Sequence, residues 1–302
     1  MNNAILFFYN INIQEIKKIT NNYYFTYLNN NYGIYLYNRD LKEQEELFNL
    51  NNELLMQGLI GYEIILTKDK QIIFLHENKP YILMKLPNIK NKIITYEDIT
   101  NFKLSINTKK YKTLDKSNWS TNWSNKIDFI NYQFSQVQNK YPIIENSIDY
   151  FIGIWENAIS YANNNPIIKE KTLAHRRLTT KTDLLEFLNP LNFIIDYQER
   201  DIGEYIKSYI MTKNYSNDII YQKIKNLPKN SIILLITRLL FPSYYFDIYE
   251  DIILKNKKEE ELKDIINKRN NITKLLNYIF DKYSNYNIPY IEWIKKRLVF
   301  IN

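Results

Sequence analysis

Short apolar runs separated by polar turns fill the first ninety or so residues of the chain, and runs with a helical period fill most of the rest. Ala4 to Tyr9, Tyr23 to Leu28 and Gly33 to Tyr37 are β-rich, which predicts strands, with Asn29, Asn30 and Asn31 turning the second into the third. Leu47, Leu50, Leu54 and Leu55 then share one face among Glu and Gln, predicting a helix that Gly58 ends. Further strands are predicted over Tyr62 to Leu66, Gln71 to Leu75 and Tyr81 to Leu86, the first two joined by the turn Thr67-Lys68-Asp69-Lys70. Beyond a polar stretch from Ser105 to Ser117 the period changes. Trp123, Ile127, Ile130, Phe134 and Val137 line one helix face, and a second helix is predicted from about Glu145 to Ala162 around Phe151, Ile154, Trp155 and Ala158. Residues 201–302 read as helices punctuated by Pro228, Pro242 and Pro289. The pattern predicts an α+β protein with a β-rich first domain over 1–90 and a larger helical domain over 91–302.

Composition narrows the chemistry. A chain of 302 residues without cysteine has no disulfides, thiolate zinc sites or thiol catalysis. The net charge of +7 raises a nucleic-acid reading, but the lysines are scattered and Glu259, Glu260 and Glu261 neutralise the densest run, from Lys255. Heavy use of Ile, Asn, Lys and Tyr, all with AT-rich codons, accounts for the excess, so a solvated surface is expected and no nucleic-acid partner. The opening MNNAILFFYNI lacks the basic start of a signal peptide. The longest apolar stretch, Ile232 to Phe241, is ten residues and contains Thr237 and Arg238, so a soluble protein with no membrane partner is expected.

The candidate chemistry lies between residues 171 and 207. His175-Arg176-Arg177-Leu178 follows the Trp155 helix, and the apolar run Phe193-Ile194-Ile195 delivers Asp196. Asp201 and Glu204 then read as a capping-box-like helix start, with Ile202, Tyr205, Ile206 and Tyr209 as the buried stripe. This skeleton resembles that of kinase-like phosphotransferases, where a His-x-Asp loop supplies the catalytic base, an Asn five residues later helps hold metal, and a strand delivers a metal-binding Asp. The resemblance implies a bilobal protein-kinase-like fold, with Asp201 bracing His175 and Arg176. It also places Arg177 where the base stands, and a guanidinium cannot accept a proton. Thr182 falls where the metal-holding Asn stands, with Asp183 adjacent. The strand that should present a phosphate-pairing lysine has none before Lys42, and no glycine precedes Gly33 to form a phosphate loop.

Four segments make the resemblance more specific. His175-Arg176-Arg177-Leu178, Asp196-Tyr197 with Arg200 to Ile206, Thr237 to Phe246, and Ile288 to Trp293 are similar to segments of the YutH/CotS-type spore-coat kinase-like proteins, relatives of the aminoglycoside phosphotransferases. Leu178, Tyr205 and Tyr244 depart from that pattern but keep its packing character. The resemblance implies a pseudokinase without cofactor that acts as a scaffold in spore-coat assembly, made in the mother-cell cytoplasm, with spore-coat or other proteins as partners. The alternative is an atypical ATP- and magnesium-dependent phosphotransferase, or a nucleotide-binding sensor, using Asp183 and Asp196 as ligands. Asp196 is expected to be structural at its strand end, His175 to be a core histidine, and Arg177 to form a buried pair with Asp196. Arg238, unusual in an apolar helix, is expected to snorkel or to pair with Asp247 or Glu250.

Overall fold

The computed structural model describes residues 1–294 except 103, 138 and 213. The chain opens with helix α1 (Asn2–Tyr9) and strands β1 (Lys17–Ile19), β2 (Asn22–Tyr27) and β3 (Asn30–Leu36). Helix α2 (Gln44–Met56) precedes β4 (Glu63–Ile65), β5 (Phe74–His76) and β6 (Lys79–Lys85). Then come α3 (Tyr96–Asn101), α4 (Trp119–Ser135), α5 (Pro142–Glu145) and α6 (Ile148–Asn164). A hairpin of β7 (Thr172–His175) and β8 (Phe193–Asp196) follows, with α7 (Leu184–Phe187) in its connection. Helices α8 (Gln198–Ile210), α9 (Asn217–Ile224), α10 (Lys229–Leu240), α11 (Ser243–Ile253), α12 (Leu262–Asn267) and α13 (Asn270–Lys282) come after it. Packing groups Met1–Asp115 with Lys171–Arg177 and Lys181–Asp196 in one unit, and Lys116–Glu170, Leu178–Thr180 and Tyr197–Asn302 in the other. Residues 91–115 and both hairpin strands therefore pack with the sheet.

The first unit is built on an antiparallel sheet in the order β1-β2-β3-β6-β4, with β5 also paired to β6. Alternation along β3 and β6 sends Tyr35, Ile82 and Met84 to one face, where Leu47, Leu50 and Leu54 of α2 cover them. Ile34, Tyr81 and Leu83 go to the other face, where Ile5 of α1 packs with Phe8 and Tyr9 against it. The strand predicted over Ala4 to Tyr9 is thus a helix. Its unbroken apolar run has no alternation to choose between the two states, and the second sheet face needs a cover. Burying Ile5 completely contributes about 1.5–3 kcal/mol.

Local chemistry explains the other shifts. The β2–β3 turn is Leu28-Asn29, both left-handed at φ 46° and 59°, so Asn30 pairs with Tyr27 instead of turning. Those angles make the two-residue turn that matches strand twist, and it sets the register. Strand β1, Lys17-Lys18-Ile19, was not predicted because it is an exposed edge without an apolar alternation. The strand predicted over Gln71 to Leu75 is confined to Phe74–His76. Gly58 ends α2 as predicted, with φ 85°.

In the second unit α10 is buried from Ser231 to Leu240 and packs against α8, α6 and α13. Phe151 stacks on Tyr245 at 3.9 Å and Trp123 on Phe241 at 4.4 Å. Helices α10 and α11 together make a 25-residue stretch apolar enough to cross a membrane, and 83% of its most apolar window is buried inside the protein. Burial accounts for its apolar character.

Candidate functional site

Strands β7 and β8 pair from Thr172↔Asp196 to His175↔Phe193, which sets the ends of the candidate loop. The Arg176 amide donates to the Asn192 carbonyl at 2.7 Å and closes the loop's base. Beside β8 runs Leu114-Asp115, whose Leu114 carbonyl accepts from the Ile195 amide at 3.0 Å. Lys171 Nζ pairs with Asp115 at 2.5 Å.

His175 is 1% exposed, and its Nε2 lies 2.9 Å from the Phe187 carbonyl oxygen. Its ring stacks on Phe187 at 4.2 Å and also meets Phe102 and Phe193. Asp196 is completely buried at the end of β8. Arg177 is exposed as a residue. Thr182 is buried, and its carbonyl accepts from the Ile94 amide at 3.0 Å. Asp183 caps α7, its carboxylate accepting from the Glu186 amide at 2.8 Å. Among the described residues no three His, Cys, Asp or Glu side chains group as a metal site would need.

Strand β3 carries no lysine, and the turn from β1 to β2 is only Thr20-Asn21, with Thr20 at φ 53°. Glu43, Glu46 and Glu53, at and near α2, are engaged elsewhere. Glu46 accepts from the Thr113 and Leu114 amides at 2.9 and 3.3 Å, and Glu53 accepts from the Tyr111 hydroxyl at 2.6 Å. Glu43 takes Arg39 Nε at 2.7 Å. Arg39 was not picked out from the sequence. Its guanidinium also donates to the Leu191 and Phe193 carbonyls at 2.9 and 2.7 Å, tying the end of β3 to the start of β8. An Arg–Glu spacing of four is common, so only the distant carbonyls reveal this role.

In the second unit, Asp201 lies within the first turn of α8, which starts at Gln198, and does not cap it. Asp201 is buried at 4% exposure. The predicted stripe shifts too: Ile202, Gly203, Ile206, Lys207 and Ile210 are buried, while Tyr205 and Tyr209 are half-buried. Glu204 does not complete a capping box. It meets Arg238 Nη2 and Lys207 Nζ at 2.6 Å each, and Ser243 Oγ donates to its second oxygen at 2.7 Å. Lys207 also donates to the Phe241 carbonyl at 2.9 Å. Arg238 lies over Trp119, Trp123 and Phe241 and bonds Glu204, so it is buried and does not take the surface position that was one of the expectations from the sequence. Burial pushes the Glu204 carboxyl up, but Arg238 and Lys207 outweigh it and hold the group at about 2. Burial, opposed by Glu204, lowers Lys207.

Residues 2–279 match the family described as "Spore coat putative kinase YutH". The chain is similar to the endospore coat-associated protein YutH of Bacillus subtilis (strain 168), 24% identical over 327 aligned positions that take in 95% of this chain and 96% of that protein. Among solved structures it resembles an aminoglycoside phosphotransferase from Alicyclobacillus acidocaldarius, with a TM-score of 0.61 at 9% identity over 94% of this chain and 97% of that one. Choline kinase LicA from Streptococcus pneumoniae gives 0.52 at 8% identity over 87% and 94%. Identities this low show likeness of fold. The predicted α+β kinase-like fold is the fold of this chain.

Proposed function

The chain belongs to the YutH family of spore-coat proteins, and from that premise we propose that it is a catalytically inactive kinase-like protein serving as a scaffold in spore-coat assembly. The observation that carries this reading is the disposition of charge at β3 and α2. Phosphoryl transfer depends on positioning and charge stabilisation, and in kinases the strand lysine pairs with a glutamate of the following helix. Here β3 has no lysine, and Glu46 and Glu53 are bound to the 111–114 segment. Arg177 at the position of the base and the two-residue β1–β2 turn support the same reading. In it, Asp196 is a structural remnant, while His175 and Asp201 each hold the fold locally. The partners are other coat proteins. In this reading the chain is made in the mother-cell cytoplasm and deposited on the coat, and the coat association of its Bacillus subtilis relative supports the second step.

The second reading is an atypical phosphotransferase or nucleotide sensor that binds ATP and magnesium through Asp183 and Asp196. The placement of Asp196 at the end of β8 favours it. The residues present fit a magnesium nucleotide poorly, because an Asp183 oxygen already caps α7. Thermal unfolding with and without ATP and magnesium, together with phosphate-transfer assays, tests the proposal. The expected outcome is no shift and no transfer. A magnesium-dependent ATP shift abolished by Asp196→Ala would overturn it.

A further inference from the structure

Strand β1 covers only half of β2. Lys17, Lys18 and Ile19 pair with Tyr24, Tyr23 and Asn22, while β2 continues to Tyr27. The same register carried back would set Ile16, Glu15 and Gln14 opposite Phe25, Thr26 and Tyr27. Instead residues 12–16 leave the sheet, and a pocket of about 590 Å³ opens between that segment and Tyr24 to Leu28. This volume is in the range of ligand sites, roughly 300–1,000 Å³.

The hydrogen-bonding direction of this edge follows from the turn. In a two-residue hairpin the closing pair, here Tyr27 and Asn30, exchanges both backbone bonds, and so does every second pair beyond it, including Phe25 and Tyr32. Thr26 lies between them, so its amide and carbonyl point away from β3, toward the side that β1 leaves open. Thr26 is exposed. No proline interrupts Phe25 to Tyr27, and Asn30 follows the turn in regular pairing, so the edge remains straight enough to accept a strand.

The pocket lining matches a polypeptide main chain better than a charged ligand. Asn12 and Gln14 bring side-chain amides, Tyr24 and Tyr27 bring phenols, and Glu15 and Lys17 offset each other in charge. Such a wall offers paired donors and acceptors with no concentration of positive charge for a phosphate. We propose that this open edge is a docking groove in which an extended peptide segment of a partner protein adds as a strand alongside Phe25 to Tyr27, bonded through the Thr26 main chain. The inference goes beyond the scaffold reading and does not rest on it, since an active phosphotransferase would carry the same edge.

The test is selection from a phage-displayed random heptapeptide library on the immobilised full chain. Selected peptides are then resynthesised with and without N-methylation at alternate residues. The expected result is that peptides of alternating pattern bind and protect the Thr26 amide from hydrogen exchange. Methylation of the edge-facing amides in one register should weaken them about tenfold or more, through loss of main-chain hydrogen bonds. Thr26→Pro should weaken them similarly, because an edge strand tolerates proline while losing the donor. If that variant does not fold, the methylated peptides on the unaltered chain decide the matter. Failure to enrich any peptide, or peptides indifferent to methylation in both registers, would overturn the proposal. So would self-association through this edge, seen as concentration-dependent sedimentation abolished by Thr26→Pro, since the occupant would then be a second copy of the chain.

Discussion

Glu204 joins Arg238, Lys207 and Ser243, and its removal takes a bonded carboxylate away from two cations that are nearly buried. Breaking such a pair costs about 3–5 kcal/mol, so Glu204→Gln is expected to lower the denaturant midpoint strongly at neutral pH. The pH dependence has a definite sign. The carboxyl is held at about 2, below its ordinary 4.5, so its contribution is complete above about 4.5 and lost as pH falls toward 2. Acid unfolding of Glu204→Gln should therefore be flatter through that window. Two glycines separate space from backbone freedom. A Cβ on Gly203 would lie 2.7 Å from Arg238 Cγ and 3.1 Å from its Cβ, and Arg238 is pinned by Glu204 and its aromatic neighbours. Gly203→Ala is expected to cost about 1–3 kcal/mol. Gly153 lies inside α6, and a Cβ added there would meet nothing within 4 Å, so Gly153→Ala should stabilise by about 0.5–1 kcal/mol. Calorimetry of both variants checks this opposition. Sequence showed Arg238 to be anomalous but did not offer Glu204 as a partner, because Glu204 read plausibly as part of a helix cap.

At the scale of elements, the β7–β8 hairpin is held from outside by Arg39, whose bonds to the Leu191 and Phe193 carbonyls need a planar fork. Lysine cannot reproduce that geometry, so Arg39→Lys is expected to destabilise by about 3 kcal/mol, read from urea unfolding. Increased hydrogen exchange in β8 should accompany it. Asp183 serves only four residues of helix, and Asp183→Ala should cost about 1 kcal/mol, with no change in any response to magnesium. A larger cost with a new magnesium response would favour the ligand role. Strands β2, β3 and β6 and helices α2, α4 and α6 were legible from their periods. Helix α1 was not, since six successive apolar residues, Ala4 to Tyr9, satisfy both a short buried strand and a helix. Strand β1 was not either, because Lys17, Lys18 and Ile19 are all exposed and bury nothing.

For the whole molecule, the fold is kinase-like, and the proposed scaffold and the alternative phosphotransferase differ in what the site residues do with nucleotide. The response of the intact chain to ATP and magnesium is the measurement on which these two readings part. Sequence alone determined the alternation of strands and helices, the arrival of Asp196 at a strand end, and the residue identities at 177 and 182. Those features are local: a hydrophobic period or a residue type at a fixed spacing carries each of them. Tertiary structure decided that α1 covers the sheet, that Arg39 binds the start of β8, and that Glu204 receives Arg238. The Arg39–Leu191 and Arg238–Glu204 partners stand 152 and 34 residues apart. No period spans such separations, and only folding brings these donors and acceptors within 3 Å, where burial makes each bond count.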